Sequence, residues 1–267
     1  MNKPIYNKLS EKYDQLFTDQ IINFIQKSPE KSETGYVNFY PSFGVKPGDK
    51  CDFIIYGQAL NGWGASFKLN EKAEDIKDRV KESIAFSNEF YEPKSHCPLD
   101  WVNVHWSAST YHKYADTLDA QKFYEKMDYL TFRSFFWNVT YKLISACYAF
   151  GPDSFEWARK MVWSNLYKIA PLRGNPDSYI KSLQLEFAIE LVRKEIEELN
   201  PKYCIVLTNE YWWEPFRTGL KTDILHRYDN RVRTIEQLNN TMIIVTTRPF
   251  RGSSDAHVEE ILAAINL

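Results

Sequence analysis

Three short stretches of this chain hold residue types whose spacing could do chemistry. The first is Gly57-Gln58-Ala59-Leu60-Asn61-Gly62-Trp63-Gly64, with three glycines in eight residues. Such a loop turns tightly, lets its backbone approach a ligand closely, and offers N–H groups to an anion or a carbonyl oxygen. An ordinary turn is the alternative. It lacks both the Gly-x-Gly-x-x-Gly spacing and the Walker lysine, which sets aside dinucleotide and P-loop chemistry. The second is Trp163-Ser164-Asn165-Leu166-Tyr167-Lys168-Ile169-Ala170-Pro171. Asn165 is a polar amide within an apolar, strand-like run. Its donor and acceptor lie side by side, which suits the Watson–Crick edge of a base, or else it bonds neighbouring backbone. The third is Thr246-Thr247-Arg248-Pro249-Phe250-Arg251-Gly252-Ser253-Ser254. Arg248 follows a strand and precedes a helix, where it can neutralise developing negative charge, while Phe250 can stack or wedge. A surface arginine is the plain alternative.

Other clusters carry weaker chemistry. His96, His105 and His112, with Asp100 or Asp116, suggest a hydrolytic metal site. Their spacings of nine and seven do not share one helical face, and no His-Glu-x-x-His is present. No metal or other cofactor is therefore expected. Cys51, Cys97, Cys147 and Cys204 are scattered, without a Cys-x-x-Cys, so Cys51 and Cys204 read as core thiols in a reducing cytoplasm. Tyr211-Trp212-Trp213-Glu214-Pro215-Phe216 is either an aromatic platform or a packed cluster. The formal charge is −2, which argues against a general duplex-DNA grip. Locally, seven basic side chains face three acidic ones between Pro215 and Arg251.

These residues need elements to position them. Apolar spacing predicts helices over about 9–28, 71–90 and 131–150, another from Asp177 or Ser178 to about Leu199, and a C-terminal one from Ser254 or Asp255. Residues 29–50 read as a loop. Buried strands are expected at Phe53–Tyr56, 162–169 and Tyr203–Leu207, with a hairpin over 231–247 turning near Asn239-Asn240. Strands alternating with helices imply an α/β fold, a three-layer αβα sandwich with a mainly parallel central sheet whose ligands collect at the strands' carboxyl ends. The chain reads as a single domain over 1–267 with an insertion at about 65–130. The longest apolar runs are about five residues, far below a membrane span, and the first residues lack the apolar segment of a signal peptide. A cytoplasmic protein with no membrane partner is expected.

Taken together, the three stretches resemble the uracil-DNA glycosylase superfamily, most closely its thermostable iron–sulfur branch. Gly57-Gln58-Ala59-Leu60-Asn61 is similar to that branch's Gly-Glu-Ala-Pro-Gly motif. Ser164-Asn165-Leu166-Tyr167-Lys168-Ile169-Ala170-Pro171 with Gly174-Asn175-Pro176-Asp177 resembles its Thr-Asn-…-Lys-…-Pro stretch and the following loop. Leu199-Asn200-Pro201-Lys202-Tyr203-Cys204-Ile205-Val206-Leu207 resembles its Pro-Lys turn before a strand, and Arg248-Pro249-Phe250 its closing His-Pro-Ser motif. The resemblance covers about 51–64 and 161–265. It implies a divergent uracil-DNA glycosylase-like protein that recognises a flipped or free nucleobase, with DNA or the free base as partner. Hydrolysis of an N-glycosidic bond would then fall to Gln58 or Asn61 orienting water and to Arg248 holding the departing base. Gly57, Trp63, Phe67, Asn165, Phe250 and Arg251 would bind the substrate, with Trp63 or Phe67 stacking on the base. The chain departs from the family in chemistry: Gln58 cannot accept a proton, Ala59 stands where another branch has its catalytic Asp, Arg248 replaces the histidine, and the cluster cysteines have no counterparts. A non-catalytic nucleobase- or nucleic-acid-binding protein on the same fold is the alternative.

Overall fold

The computed structural model describes residues 9–28, 35–45, 48–59, 66–69, 72–88, 98–99, 102, 134–151, 154–250 and 254–266. Seven strands form the main sheet: β2 (Ser42–Phe43), β3 (Phe53–Gly57), β5 (Met161–Asn165), β7 (Tyr203–Leu207), β8 (Asp223–Arg227), β9 (Val232–Leu238) and β10 (Thr241–Thr246). Their spatial order is β2-β5-β3-β7-β10-β9-β8. The central four, β5-β3-β7-β10, are parallel neighbours, whereas β2, β9 and β8 join antiparallel at the flanks. A second sheet of three antiparallel strands, β4 (Ser66–Lys68), β1 (Gly35–Asn38) and β6 (Ile169–Pro171), lies beside it.

Alternation along the central strands sends side chains to two cores. Ile54, Tyr56, Val162, Cys204, Val206 and Val245 face one side, which is covered by α1 (Glu11–Lys27), α4 (Ser178–Leu199) and α5 (Glu210–Leu220). Phe53, Ile55, Met161, Trp163, Ile205 and Ile244 face the other, covered by α3 (Phe135–Tyr148) and α6 (Ser254–Ile265). A sixth helix, α2 (Ala73–Asn88), packs on α1. The result is an α/β molecule with helices on both faces of its sheet. Much of the aromatic content is structural: Trp137 packs edge-on against Trp157 and Trp163, and Tyr40 takes the rings of Tyr13 and Phe17 edge-on.

The helices form where capping and periodicity place them. Ser10 caps α1 by accepting from the Tyr13 N–H, and Asp177 caps α4 by accepting from the Ile180 N–H. Asn200 closes α4 in the left-handed conformation. Two expectations are corrected. Residues 29–50 are not all loop, because β1 and β2 lie there; strands of four and two residues, paired with distant partners, carry no periodic signal. The run 162–169 is not one strand. It breaks after Asn165, where buried Lys168 turns back and bonds the Asn165 carbonyl at 2.6 Å. Of the two readings of Tyr211–Phe216, the packed cluster holds for three of its rings: the stretch lies in α5, where Trp212, Trp213 and Phe216 are buried. Most of the 65–130 stretch, with His96, His105, His112, Asp100 and Asp116, lies outside the described residues. No helix among the described residues is long and apolar enough to cross a membrane.

Candidate functional site

The order of the four parallel strands decides where a ligand fits. From β3 the chain goes to its neighbour β5 on one side, then returns across β3 to β7 on the other. Adjacent loops therefore diverge at the carboxyl ends of β3 and β7, the topological switch point where open α/β sheets bind ligands. Gly57, Asn165, Thr208 and Thr247 all lie at or just beyond this edge.

Amide side chains bind the edge together. Gln58 follows β3 and is only 9% exposed. Its Nε2 donates to the Thr208 carbonyl at 2.9 Å, across the switch point, and its Oε1 accepts from Asn175 Nδ2 at 3.3 Å. Both ends of this amide are thus engaged in holding three loops. Asn209 follows β7 with φ 81° and ψ 148°, a region otherwise nearly confined to glycine that costs roughly 1–3 kcal/mol. The surroundings hold it there. Its N–H donates to the Thr246 carbonyl at 3.0 Å, and its Oδ1 accepts from the Arg248 N–H at 2.8 Å. Asn209 therefore ties the end of β7 to the end of β10.

Asn165 ends β5 directly beside Gly57 in the parallel register. It is 2% exposed, and its Nδ2 is buried without a hydrogen-bond partner among the described residues. An unpaired buried donor costs about 1–3 kcal/mol. The glycine is what admits this side chain. A Cβ on Gly57 would lie 2.4 Å from Asn165 Oδ1. Gly57→Ala is therefore expected to push the amide aside and to cost about 1–3 kcal/mol, read by thermal denaturation. Unchanged stability would show that the amide moves freely.

A buried charge network sits under Asn165. Lys168 and Glu195 are both fully buried, with Nζ 2.6 Å from Oε1. Lys168 also donates to Ser164 Oγ at 2.7 Å, while Ser164 and Tyr13 donate to the Glu195 carboxylate at 2.8 and 2.6 Å. Burial pulls the Lys168 ammonium below the usual lysine range, and Glu195 opposes that. Burial, and then the same carboxylate, push the phenols of Tyr13 and Tyr56 well above theirs. The network fixes the 164–168 turn and, through the carbonyl of Asn165, the base of the amide.

The structure places the remaining expected site residues apart. Arg248 is exposed just past β10. Three strand spacings separate Asn165 from β10, about 14 Å by ordinary sheet geometry. Phe250 is exposed near Arg248. Phe67 does not join them. It belongs to β4 and is 1% exposed, stacked on Tyr36 and packed edge-on to Phe24, so it is a core ring and no platform for a base. Asn61, Trp63 and Arg251 lie outside the described residues.

Sequence reasoning missed Asn175, Asn209 and His257. His257 lies on the first turn of α6, fully buried, with Nε2 2.9 Å from Thr246 Oγ1. The Thr246 hydroxyl spends its single proton on the carbonyl of Thr247 or Val206, so it accepts from Nε2–H. That leaves Nδ1 as a buried acceptor without a partner. Burial, with help from Arg231 and against Glu260, lowers the imidazole to about 4, so it is neutral at pH 7. The available signal was its place on the Val258/Ile261 stripe of α6, which must face the sheet.

No protein-family model matches the chain, and no curated protein matches it.

Proposed function

We propose that the sheet edge at Gly57, Asn165 and Arg248 recognises a nucleotide through its base, in a divergent relative of the uracil-DNA glycosylases that binds without hydrolysis. The observation that carries this reading is Asn165. A buried amide whose donor has no partner among the described residues, held at the ligand end of the sheet, suits recognition of a complementary edge. The adjacent carbonyl and ring N–H of uracil or hypoxanthine supply one.

Binding is favoured over catalysis by the state of Gln58. Its amide is spent on the Thr208 carbonyl and on Asn175, and an amide cannot take the proton of an attacking water.

Equilibrium binding of single-stranded oligonucleotides carrying one uracil or hypoxanthine tests the proposal. Asn165→Ala is expected to weaken binding about 5- to 150-fold, the range of one bidentate base contact, with the melting temperature kept or raised. Equal affinity in the variant would overturn the reading. Alkali-labile sites produced in these oligonucleotides would overturn the binding-only mechanism and restore the hydrolase.

A further inference from the structure

The positive charge between Pro215 and Arg251 is left unused by the base-reading amide. The fold gathers three of these arginines around one open cleft of about 580 Å³, lined by Asn209, Glu210, Arg217, Arg227, Arg233 and Thr247, with Glu214 and Tyr211 also on its wall. Both Asn209 and Thr247 belong to the sheet edge described above. Asn209 holds the Arg248 N–H, so the cleft opens beside Arg248.

The three arginines are not equivalent. Arg217 is committed to the fold. It bonds buried Glu236 at 2.7 Å and Glu210 at 2.9 Å. Arg227 is 60% exposed and, among the described residues, pairs with Glu210 at 3.1 Å, a carboxylate that Arg217 already neutralises. Arg233 meets Asp229 at 2.9 Å, and that aspartate is fully exposed. Solvent screens such pairs, and a phosphate can displace them, since guanidinium groups bind phosphate in a bidentate fork. Arg227 ends β8 and Arg233 lies on β9, its neighbour in the sheet, and both line this cleft. The cleft also meets the start of α5. Its N-cap residue makes no side-chain cap bond because the Asn209 amide is turned to Arg248, and the positive end of the helix dipole adds to the field.

We propose that Arg227 and Arg233 hold a backbone phosphate of the single-stranded nucleic acid whose base Asn165 reads. This rests on the nucleobase reading above. Arg233 on β9 and Arg227 on β8 stand four and five strand spacings from Asn165 on β5, about 19–24 Å by ordinary sheet geometry, so the phosphate is one further along the strand than that of the nucleotide whose base is read, on the side of Arg248.

The test is a salt titration of binding to a short fluorescein-labelled single-stranded DNA carrying one uracil, compared with the same strand carrying thymine. Each phosphate contact contributes about 0.7 to the slope of log K against log salt for single strands. Arg227→Gln/Arg233→Gln is expected to lower that slope by about 0.7 and to weaken both strands several-fold alike. Lys81→Gln, on α2 beyond the opposite flank of the sheet, is the charge control and is expected to leave the slope unchanged. An unchanged slope in the double variant, with uracil preference intact, overturns the phosphate site and leaves the base reading standing. A lowered slope with no base preference and no effect of Asn165→Ala overturns the base reading and keeps the phosphate site. A lowered slope in Lys81→Gln as well shows a general charge effect and overturns the assignment to this cleft. Absence of binding by either strand overturns both.

Discussion

Replacing Lys168 by methionine is expected to destabilise the protein by about 3–5 kcal/mol. The substitution keeps the volume and removes the charge, leaving the Glu195 carboxylate fully buried with neutral donors such as the hydroxyls of Tyr13 and Ser164. The ion pair itself need contribute little net stability, since removing both ions from water costs about what their attraction returns. The loss comes from the orphaned charge. A second substitution therefore separates the two effects. Lys168→Met/Glu195→Gln replaces the carboxylate by a neutral amide whose oxygen can accept from Tyr13 and whose NH2 can donate to Ser164 Oγ, left free to accept once the ammonium is gone, and it is expected to recover most of the lost stability. Denaturant unfolding of the two variants reads the difference. A double variant no more stable than Lys168→Met would place the cost in packing instead. Lys168 also bonds the Asn165 carbonyl, so the single variant is expected to weaken nucleobase binding as well.

The second large effect is acid sensitivity from His257. Its folded pKa of about 4 lies below the ordinary histidine value of 6.5, with burial as the main cause. As pH falls, the unfolded chain takes up the proton first. The stability associated with the neutral imidazole is fully present above about pH 6.5 and is lost as pH falls towards about 4, a change on the order of 3 kcal/mol. His257→Gln can still donate to Thr246 and does not titrate. Its unfolding free energy is expected to be flatter between pH 6.5 and 4 than that of the parent protein. Parallel pH profiles for the two proteins would show that the imidazole is already protonated in the folded state. A carboxyl adds to the loss at the acid end. Hydrogen bonds from Arg217, Thr222, Thr234 and Trp213 hold the buried Glu236 carboxyl below the usual range against the opposing effect of burial. Its contribution is lost as pH falls through that lowered value.

The local elements were legible where local physics decides them. The apolar stripe Tyr13, Phe17, Ile21 and Phe24 can only be a helix face, and Tyr203–Leu207 between a helix-ending Asn200-Pro201 and a polar turn can only be a buried strand. The strands β1, β2 and β8 were not legible. The first two are short and are held by partners far away in sequence, and β8, a hairpin partner of β9, is exposed along its whole length and so carries no apolar alternation. Phe67 shows the same limit for the site. Its ring type suited stacking, but nothing local says that Tyr36 and Phe24 will enclose it.

By itself the sequence determined the alternation of helix and strand, the glycine that must end β3, and the presence of an amide at the end of β5. These follow from periodicity, from capping and from steric demands within a few residues. Only the tertiary structure decided that the Gln58 amide would be consumed in joining loops, that Asn165 would be buried with a bare donor, that Asn209 would be forced into a glycine-like conformation, and that Arg227 and Arg233 would stand together at one cleft. Each of those outcomes depends on which strands become neighbours. Strand order is set by burying two apolar faces at once, a property of the whole chain that no window of sequence contains.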